Sequence, residues 1–289
     1  MNRADDTRLA WLLCAPAIAV MASVAAYPLL DAVRLSLYRY DLRFTAARHF
    51  VGLRNYVTVL TSPVWWSAVL NTFIITVASV SVELVLGLAL AIVMHRALVG
   101  RRVVRMAVLV PYGIITVVAA LAWRFAFDPT TGFVQGLGVL DRAWLGHRWS
   151  AFAVIILTEI WKTTPFMALL LLAGLALVPE DALRAARVDG ASRVQRFRRV
   201  TLPLMKPAIA VALLFRTLDA VRIFDTVFVQ TRGALGTEPV SLVGYDTLLV
   251  SLNLGLGSAV AVIIFLMVVA VALLFLRFLG LSLAGAGAR

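Results

Sequence analysis

Seven charged residues stand inside stretches that are otherwise apolar, and the chemistry of this chain is to be sought there. Glu83 interrupts 66–94, Glu159 and Lys162 interrupt 151–178, and Arg216, Asp219, Arg222 and Asp225 punctuate 207–229. A charge at the centre of a bilayer costs about 2.5–3.5 kcal/mol on insertion scales, so such residues turn toward a bundle interior or a cavity. Glu83 is expected to pair with a base on another helix. Glu159 and Lys162 are three apart and can meet along one helical face, or that face can line a polar pathway. Pro165 frees a backbone carbonyl beside them and is expected to kink the helix next to a cavity. The last four residues alternate in sign at intervals of three, each step turning about −60° around a helix of about 3.6 residues per turn. They predict a slanted, self-neutralising strip. It is either a set of salt bridges, within the bundle and to a partner, or in part a lining of the pathway.

Catalysis has fewer candidates. One cysteine, Cys14, excludes an internal disulfide and a cysteine-based metal cluster, and three histidines leave little for a His-rich site. There is no Ser/His/Asp set and no carboxylate pair with an activating neighbour, so no catalytic or metal residue is assigned and the chain is read as non-enzymatic. No G-x-x-x-x-G-K-[ST] phosphate loop occurs, so the chain cannot cradle ATP by that route and is expected to bind no cofactor. Cys14, within an apolar run, reads as an inert small side chain.

The elements that must hold these residues follow from composition. The 289 residues are 62% hydrophobic and 15% charged, with mean hydropathy +0.95. Soluble domains carry about 45–50% apolar and about 25% charged residues. A net charge of +12 invites nucleic acid, but in so apolar a chain basic residues mark membrane-facing loops. Six apolar stretches, about 9–30, 66–94, 106–123, 151–178, 207–229 and 257–276, suit a hydrocarbon core of about 30 Å crossed at about 1.5 Å per residue. The fold class predicted is an all-α integral membrane protein. The first stretch exceeds the usual apolar region of a signal peptide, about 7–15 residues, and is expected to be a retained helix.

Basic residues set the orientation. With the N-terminus in the cytoplasm, that side collects Arg3, Arg8, Arg96, Arg101, Arg102, Arg105, seven basic residues of 179–207, Arg277 and Arg289. The outer side holds Arg34, Arg39, Arg43, Arg48, Arg54, Arg142, Arg148 and Arg232. A multi-pass protein of the cell membrane with both tails, 1–8 and 281–289, in the cytoplasm is expected. The outer segment 31–65 resists the bias with its five arginines. It is rich in aromatics and ends beside an interfacial pair, Trp65 and Trp66. The two halves of the chain show no duplication, which weighs against a secondary transporter built from repeats.

Loop 179–206 is the longest on the cytoplasmic side. Pro179 can open a helix, and Glu180 and Asp181 suit its positive end. Gly190 permits a sharp turn, 191–200 can form a second short helix, and Pro203 and Pro207 close it. The loop resembles the signature of permease subunits of binding-protein-dependent ABC importers: E-A-A, three residues, G, nine residues, I-x-L-P. The matching positions are Arg184-Ala185-Ala186, Gly190 and Val200-Thr201-Leu202-Pro203, with Arg184 in place of glutamate and Val200 in place of isoleucine. Asp189 also matches. Further matches are Phe50 to Tyr56, Trp66 to Thr72, V-P-Y-G at 110–113, W-K-T-T-P-F at 161–166 and Phe215 to Asp225. The resemblance runs from about residue 9 to 280, and on it the chain is identified as a member of the MalF-like sugar permease family.

What the resemblance implies is a six-helix domain, 9–280, of the type I ABC importer permease kind. A second permease, two ATPase subunits that use ATP and magnesium, and an external sugar-binding lipoprotein would complete an ATP-driven importer in the bilayer. The substrate implied is a disaccharide, trehalose foremost, and no nucleic acid is expected. Arg184, Ala185, Ala186, Asp189, Gly190, Leu202 and Pro203 would couple the ATPase to the spans. Glu159, Trp161, Lys162, Asp219, Arg222, Phe224, Asp225 and Asn253 are the candidate pathway residues. Sugar hydroxyls suit carboxylate, amide and guanidinium groups, and the C–H face of the ring suits an aromatic; Phe228 is a further candidate. Arg232 to Thr237, with Gly244-Tyr245, resembles the outer loop after span five in such permeases. An ion-coupled secondary transporter, with Glu83, Glu159 or Asp219 as the coupling acid, is the alternative.

Overall fold

The computed structural model describes residues 3–44, 48–96, 101–136 and 143–278. The expected tail 281–289 with Arg289, and Arg142, lie outside the described residues. α1 (Arg3–Ser36) leads into an antiparallel pair of short strands, β1 (Tyr38–Arg39) and β2 (His49–Phe50), and then α2 (Arg54–Thr61). α3 (Pro63–Arg96), α4 (Arg101–Gly113), α5 (Thr116–Ala126), the single turn α6 (Phe133–Gly136) and α7 (Arg148–Ala176) follow. Loop 179–206 folds as α8 (Glu180–Val188), α9 (Arg193–Arg196), a π-helical turn (Phe197–Thr201) and α10 (Leu202–Leu204). α11 (Lys206–Ala220), α12 (Asp225–Gln230), α13 (Val240–Tyr245) and α14 (Leu254–Phe278) complete the order.

Among the described residues four helices are long and apolar enough to cross a membrane, and up to six if each of two bent pairs forms one span. The bent pairs are Met106–Gly113 with Thr116–Ala126, and Arg193–Leu204 with Lys206–Ala220, the second bent by 65°. The stretch 106–123 turns by 93° between α4 and α5. Pro111 lies in the last turn of α4, and Ile115 is extended at φ −57°, ψ 134°. A proline lacks the N–H that would continue the ladder. Apart from these bends, the stretch 207–229 stops as a helix at Ala220 and resumes at Asp225, with Phe224 off the helical region at φ −139°, ψ −64°. The second short helix expected at 191–200 is instead α9 and part of the π turn. By contrast α7 runs as one helix through Pro165. Thr163 and Thr164 just before it donate to the carbonyls of Glu159 (2.7 Å) and Ile160 (2.5 Å).

The chain divides into two compact units, Met1–Trp65 with Val243–Leu266, and Trp66–Leu242 with Met267–Arg289. In the first, β1 and β2 pair Tyr38 with Phe50 and Arg39 with His49. The Asn55 amide donates to the carbonyls of Ser36 (2.7 Å) and Tyr38 (2.9 Å). The start of α14 joins the same ribbon, with Gly255 N–H donating to Tyr40 O at 3.0 Å. A side chain at Gly255 would collide with the Tyr38 carbonyl, so this close approach requires glycine. Asp41 accepts from the Arg43 guanidinium at 2.6 Å, and that bond holds its carboxyl down at about 2.

In the second unit α7 is the axis, contacted by α4, α5, α11 and α12. Val80 and Ala91 of α3, Met167, Leu171 and Leu175 of α7, and Met205, Ala212 and Ala220 around α11 form its apolar core. Without water to drive apolar burial, membrane helices associate through close packing over small residues. Gly87 meets the Met167 side chain and Gly174 meets Ala208 at distances that leave no room for a larger residue.

Candidate functional site

Arg216 of α11 is the hub of the second unit. Its Nε donates to Glu83 Oε2 at 2.5 Å and its Nη2 to Glu83 Oε1 at 3.0 Å, a two-pronged grip across to α3. Nη2 also reaches Glu159 Oε2 on α7 at 2.9 Å, and Nη1 reaches Asp219 Oδ2 at 2.8 Å. Arg216 is 1% exposed and Glu83 fully buried. A guanidinium offers five donors in a fixed plane, so one side chain can bind three carboxylates where a lysine could not hold the same geometry. The other Glu159 oxygen accepts from the Thr226 hydroxyl at 2.5 Å, and Gln230 Nε2 donates to Thr158 Oγ1 at 2.7 Å. These two bonds fasten α12 to α7.

Lys162, one turn beyond Glu159, does not join this cluster. Its ammonium donates to the carbonyls of Ile114 at 2.7 Å and Tyr112 at 3.5 Å. These belong to the break between α4 and α5, where the ladder leaves carbonyls unpaired in an apolar setting. Irregular backbone at membrane depth is tolerated where something satisfies it, and Lys162 does so here. The expected Glu159–Lys162 pair is thus corrected: Arg216 and Thr226 claim Glu159, and the carbonyls of the α4–α5 break claim Lys162. The strip of four alternating charges is also corrected. Arg216 and Asp219 pair on α11, but the helix ends before Arg222, whose Nε donates to Leu218 O at 3.1 Å. Among the described residues Arg222 and Asp225 form no ion pair.

Beside this cluster the second unit contains a cleft of about 410 Å³, within the usual range for small-molecule sites, about 300–1,000 Å³. Glu159, Lys162, Asp219, Arg222, Phe224 and Asp225 line it, so six of the eight candidate pathway residues converge there. The two helix breaks make this possible: the α4–α5 turn supplies one wall and the turn from Arg222 to Asp225 another. Trp161 is directed elsewhere, edge-on to Trp123 with ring centroids 5.9 Å apart. Phe228 packs against Phe224 at 5.1 Å. Asn253 belongs to the first unit, where its Oδ1 accepts from Leu256 N–H at 3.1 Å at the start of α14. Tyr112, Thr116, Thr163 and Thr226 also line the cleft and were not among the candidates. Hydroxyl residues in apolar stretches carry no periodic signal; Tyr112, within the V-P-Y-G motif, was the most accessible of them to sequence reasoning.

The loop residues form a second locus. Pro179 is the N-cap of α8, and Glu180 and Asp181 occupy its first turn. Arg184 lies one turn later and binds Glu180 at 2.8 Å, with Asp181 at 3.9 Å. Ala185 accepts from Asp189 N–H, Ala186 O from Ala191 N–H at 3.0 Å, and Arg187 O from Gly190 N–H at 3.1 Å. With Gly190 at φ +77°, this is a Schellman cap, which needs the left-handed residue four positions after the carbonyl it closes. The interval between Ala186 and Gly190 therefore has a mechanical reason. Ser192 and Gln195 then form a reciprocal capping box that starts α9. Leu202 and Pro203 lie in α10, just past the π turn.

A helical membrane protein with broken spans, a buried charge hub and a capped double-helix loop is the class these features define. The chain belongs to the family of binding-protein-dependent transport system inner membrane components, which matches residues 65–283. It is 53% identical over 253 residues to the trehalose transport system permease protein SugA of Mycobacterium tuberculosis, covering 88% of this chain and 82% of that protein. It is 40% identical over 247 residues to the trehalose/maltose transport system permease protein MalF of Thermococcus litoralis, covering 83% of each. Its fold is that of a bacterial ABC transporter involved in import of alginate, with TM-score 0.80, 21% identity, and 96% and 98% of the two chains covered. It is therefore a non-catalytic permease subunit of an ABC transporter.

Proposed function

We propose that this chain is one of two permease subunits of an ATP-driven importer of a disaccharide, trehalose foremost. The observation that carries the reading is the 53% identity to a trehalose permease over 88% of the chain. The cleft supports it chemically. Its carboxylates, guanidinium and hydroxyls suit sugar hydroxyls, and Tyr112 and Phe224 suit the C–H face of a ring. Around it four acids, Glu83, Glu159, Asp219 and Asp225, stand against three bases, Lys162, Arg216 and Arg222, a near balance that suits an uncharged ligand.

In this reading a second permease completes the pathway, and an external sugar-binding lipoprotein delivers the substrate. Two ATPase subunits bind ATP and magnesium, and this chain binds neither. Both termini are cytoplasmic, so loop 179–206 meets an ATPase. Movement of the ATPases passes through α8 and Gly190 to α11. It drives alternating access because the ATPase grips the two states with different affinity. The test is uptake of labelled trehalose and maltose by cells carrying this chain with its partners, with and without an ATPase inactivated in ATP hydrolysis. Uptake of trehalose that needs ATP hydrolysis is the expected result. Uptake that survives loss of the ATPase and collapses with the proton gradient would establish the ion-coupled alternative.

A further inference from the structure

The second unit contains another cleft, larger than the first and unlike it in charge. It measures about 750 Å³ and is bounded by the ends of α3 and α7 and by α8, α9 and the π turn. Arg184, Arg187, Arg193 and Arg196 line it with His95, against one carboxylate, Glu180. Glu180 is bound to Arg184. Among the described residues no acid pairs with Arg187, Arg193 or Arg196, so three guanidiniums border one cavity without a counter-charge.

The deeper wall is apolar. Ile92 comes from α3, Leu175 from α7 and Phe197 from the π turn. The local backbone arranges both surfaces. The Ser192–Gln195 capping box starts α9 at Arg193, which puts Arg193 and Arg196, three apart, on one side. The π turn then brings Phe197 and Thr201 to the same wall; such turns are rare and collect at functional sites. A basic border over an apolar wall is the profile of an amphiphile's binding site.

Position narrows the ligand. α3 has 34 residues and α7 has 29, about 50 Å and about 43 Å of helix at about 1.5 Å per residue. The hydrocarbon core is about 30 Å thick, and about 40–45 Å with its headgroups. Helices of this length carry their ends into the headgroup layer, and the cleft lies at those ends. Guanidinium groups bind phosphate oxygens in pairs, and basic pockets at membrane helix ends bind anionic headgroups.

We propose that this cleft binds the phosphate headgroup of an anionic phospholipid, with Arg193 and Arg196 as its principal ligands and one acyl chain against the apolar wall. The lipid would brace α8 and α9 against the ends of α3 and α7. The inference rests on the membrane fold and not on the identity of the transported sugar. A different sugar therefore leaves it standing.

The test uses the full chain with its partner subunits in nanodiscs of equal parts phosphatidylglycerol and phosphatidylcholine, read by native mass spectrometry after gentle release. One phosphatidylglycerol is expected to stay with each copy of this chain, in preference to phosphatidylcholine. Arg193→Ala with Arg196→Ala should lower the affinity for that lipid roughly thirtyfold, and Arg193→Lys with Arg196→Lys should keep most of it. Arg193→Ala alone, at an exposed position, serves if the double variant does not assemble, and should lower occupancy severalfold. Equal retention of the two lipids, or retention unmoved by either alanine variant, would overturn the proposal. So would a lipid held only by chain stripped of its ATPases, which would make the cleft part of the ATPase seat. Displacement of the lipid by millimolar inorganic phosphate, with phosphate protecting the chain equally in pure phosphatidylcholine, would assign the site to free phosphate instead.

Discussion

The charges around Arg216 and those of loop 179–206 use the same residue types under opposite conditions. Arg216 is 1% exposed and grips three carboxylates on three elements or turns of the bundle. Arg184 is 69% exposed and grips two carboxylates on its own helix. The first set is held chiefly by neighbours on other helices, Glu83 and Glu159, because a buried charge without a partner is costly. The second set is solvated, so its pairs contribute little and its positions are free to serve contact with something else. The contrast teaches that charge count alone does not separate structure from function in this chain; burial and the origin of each partner do.

Four substitutions test that contrast, beginning with the largest effect. Arg216→Met leaves the Glu83 and Glu159 carboxylates buried without their cation, a cost of about 3–5 kcal/mol. The purified complex should melt far below the parent or fail to assemble. Adding Glu83→Gln and Glu159→Gln should recover much of the loss. A single variant that melts with the parent would remove the hub from the structural side of the comparison.

Gly190→Val should behave differently. Gly190 sits at φ +77° with open space around it, so valine meets no neighbour and pays only for the left-handed backbone, about 1–2 kcal/mol. Assembly is expected to survive while uptake falls sharply against ATP hydrolysis, measured together in proteoliposomes. Normal uptake per ATP hydrolysed would sink the coupling role.

Asp219 lies between the two extremes, bound to Arg216 but 64% exposed at the cleft. Asp219→Asn should shift stability by less than about 1 kcal/mol and raise the KM for sugar uptake severalfold. A large fall in melting temperature with unchanged KM would place Asp219 with the hub. The smallest effect is expected from Arg184→Ala, which breaks an exposed pair one helical turn apart, about 0.3–0.5 kcal/mol. Circular dichroism and melting should barely change; a large loss would mean that the α8 pair is structural after all.

Much was legible in the residues alone. Uncharged stretches long enough to cross hydrocarbon define a helical membrane protein, because in lipid every backbone group must be satisfied within its own segment. The double helix of 179–206 was legible because its caps are local: Pro179, Glu180 and Asp181 at one end, Gly190 at the turn. Even the interval from Ala186 to Gly190 follows from hydrogen bonds spanning a few residues. For the same reason Arg216, Asp219, Glu83 and Glu159 could be singled out as costly residues in need of partners.

Which partners they took was decided by the tertiary structure. Glu159 and Lys162 looked like a pair because three residues separate them, yet α11 offered Glu159 a buried guanidinium and the α4–α5 break offered Lys162 open carbonyls. The breaks themselves were hidden, since a hydropathy profile reads 106–123 and 207–229 as continuous whether or not the backbone turns. Asn253 was drawn into the start of α14 and Trp161 onto Trp123, while Tyr112 and Thr226 entered the cleft. Spacing along the chain fixes which face of a helix a residue occupies. Which other helix meets that face depends on packing among segments far apart in the chain, 133 positions in the case of Glu83 and Arg216.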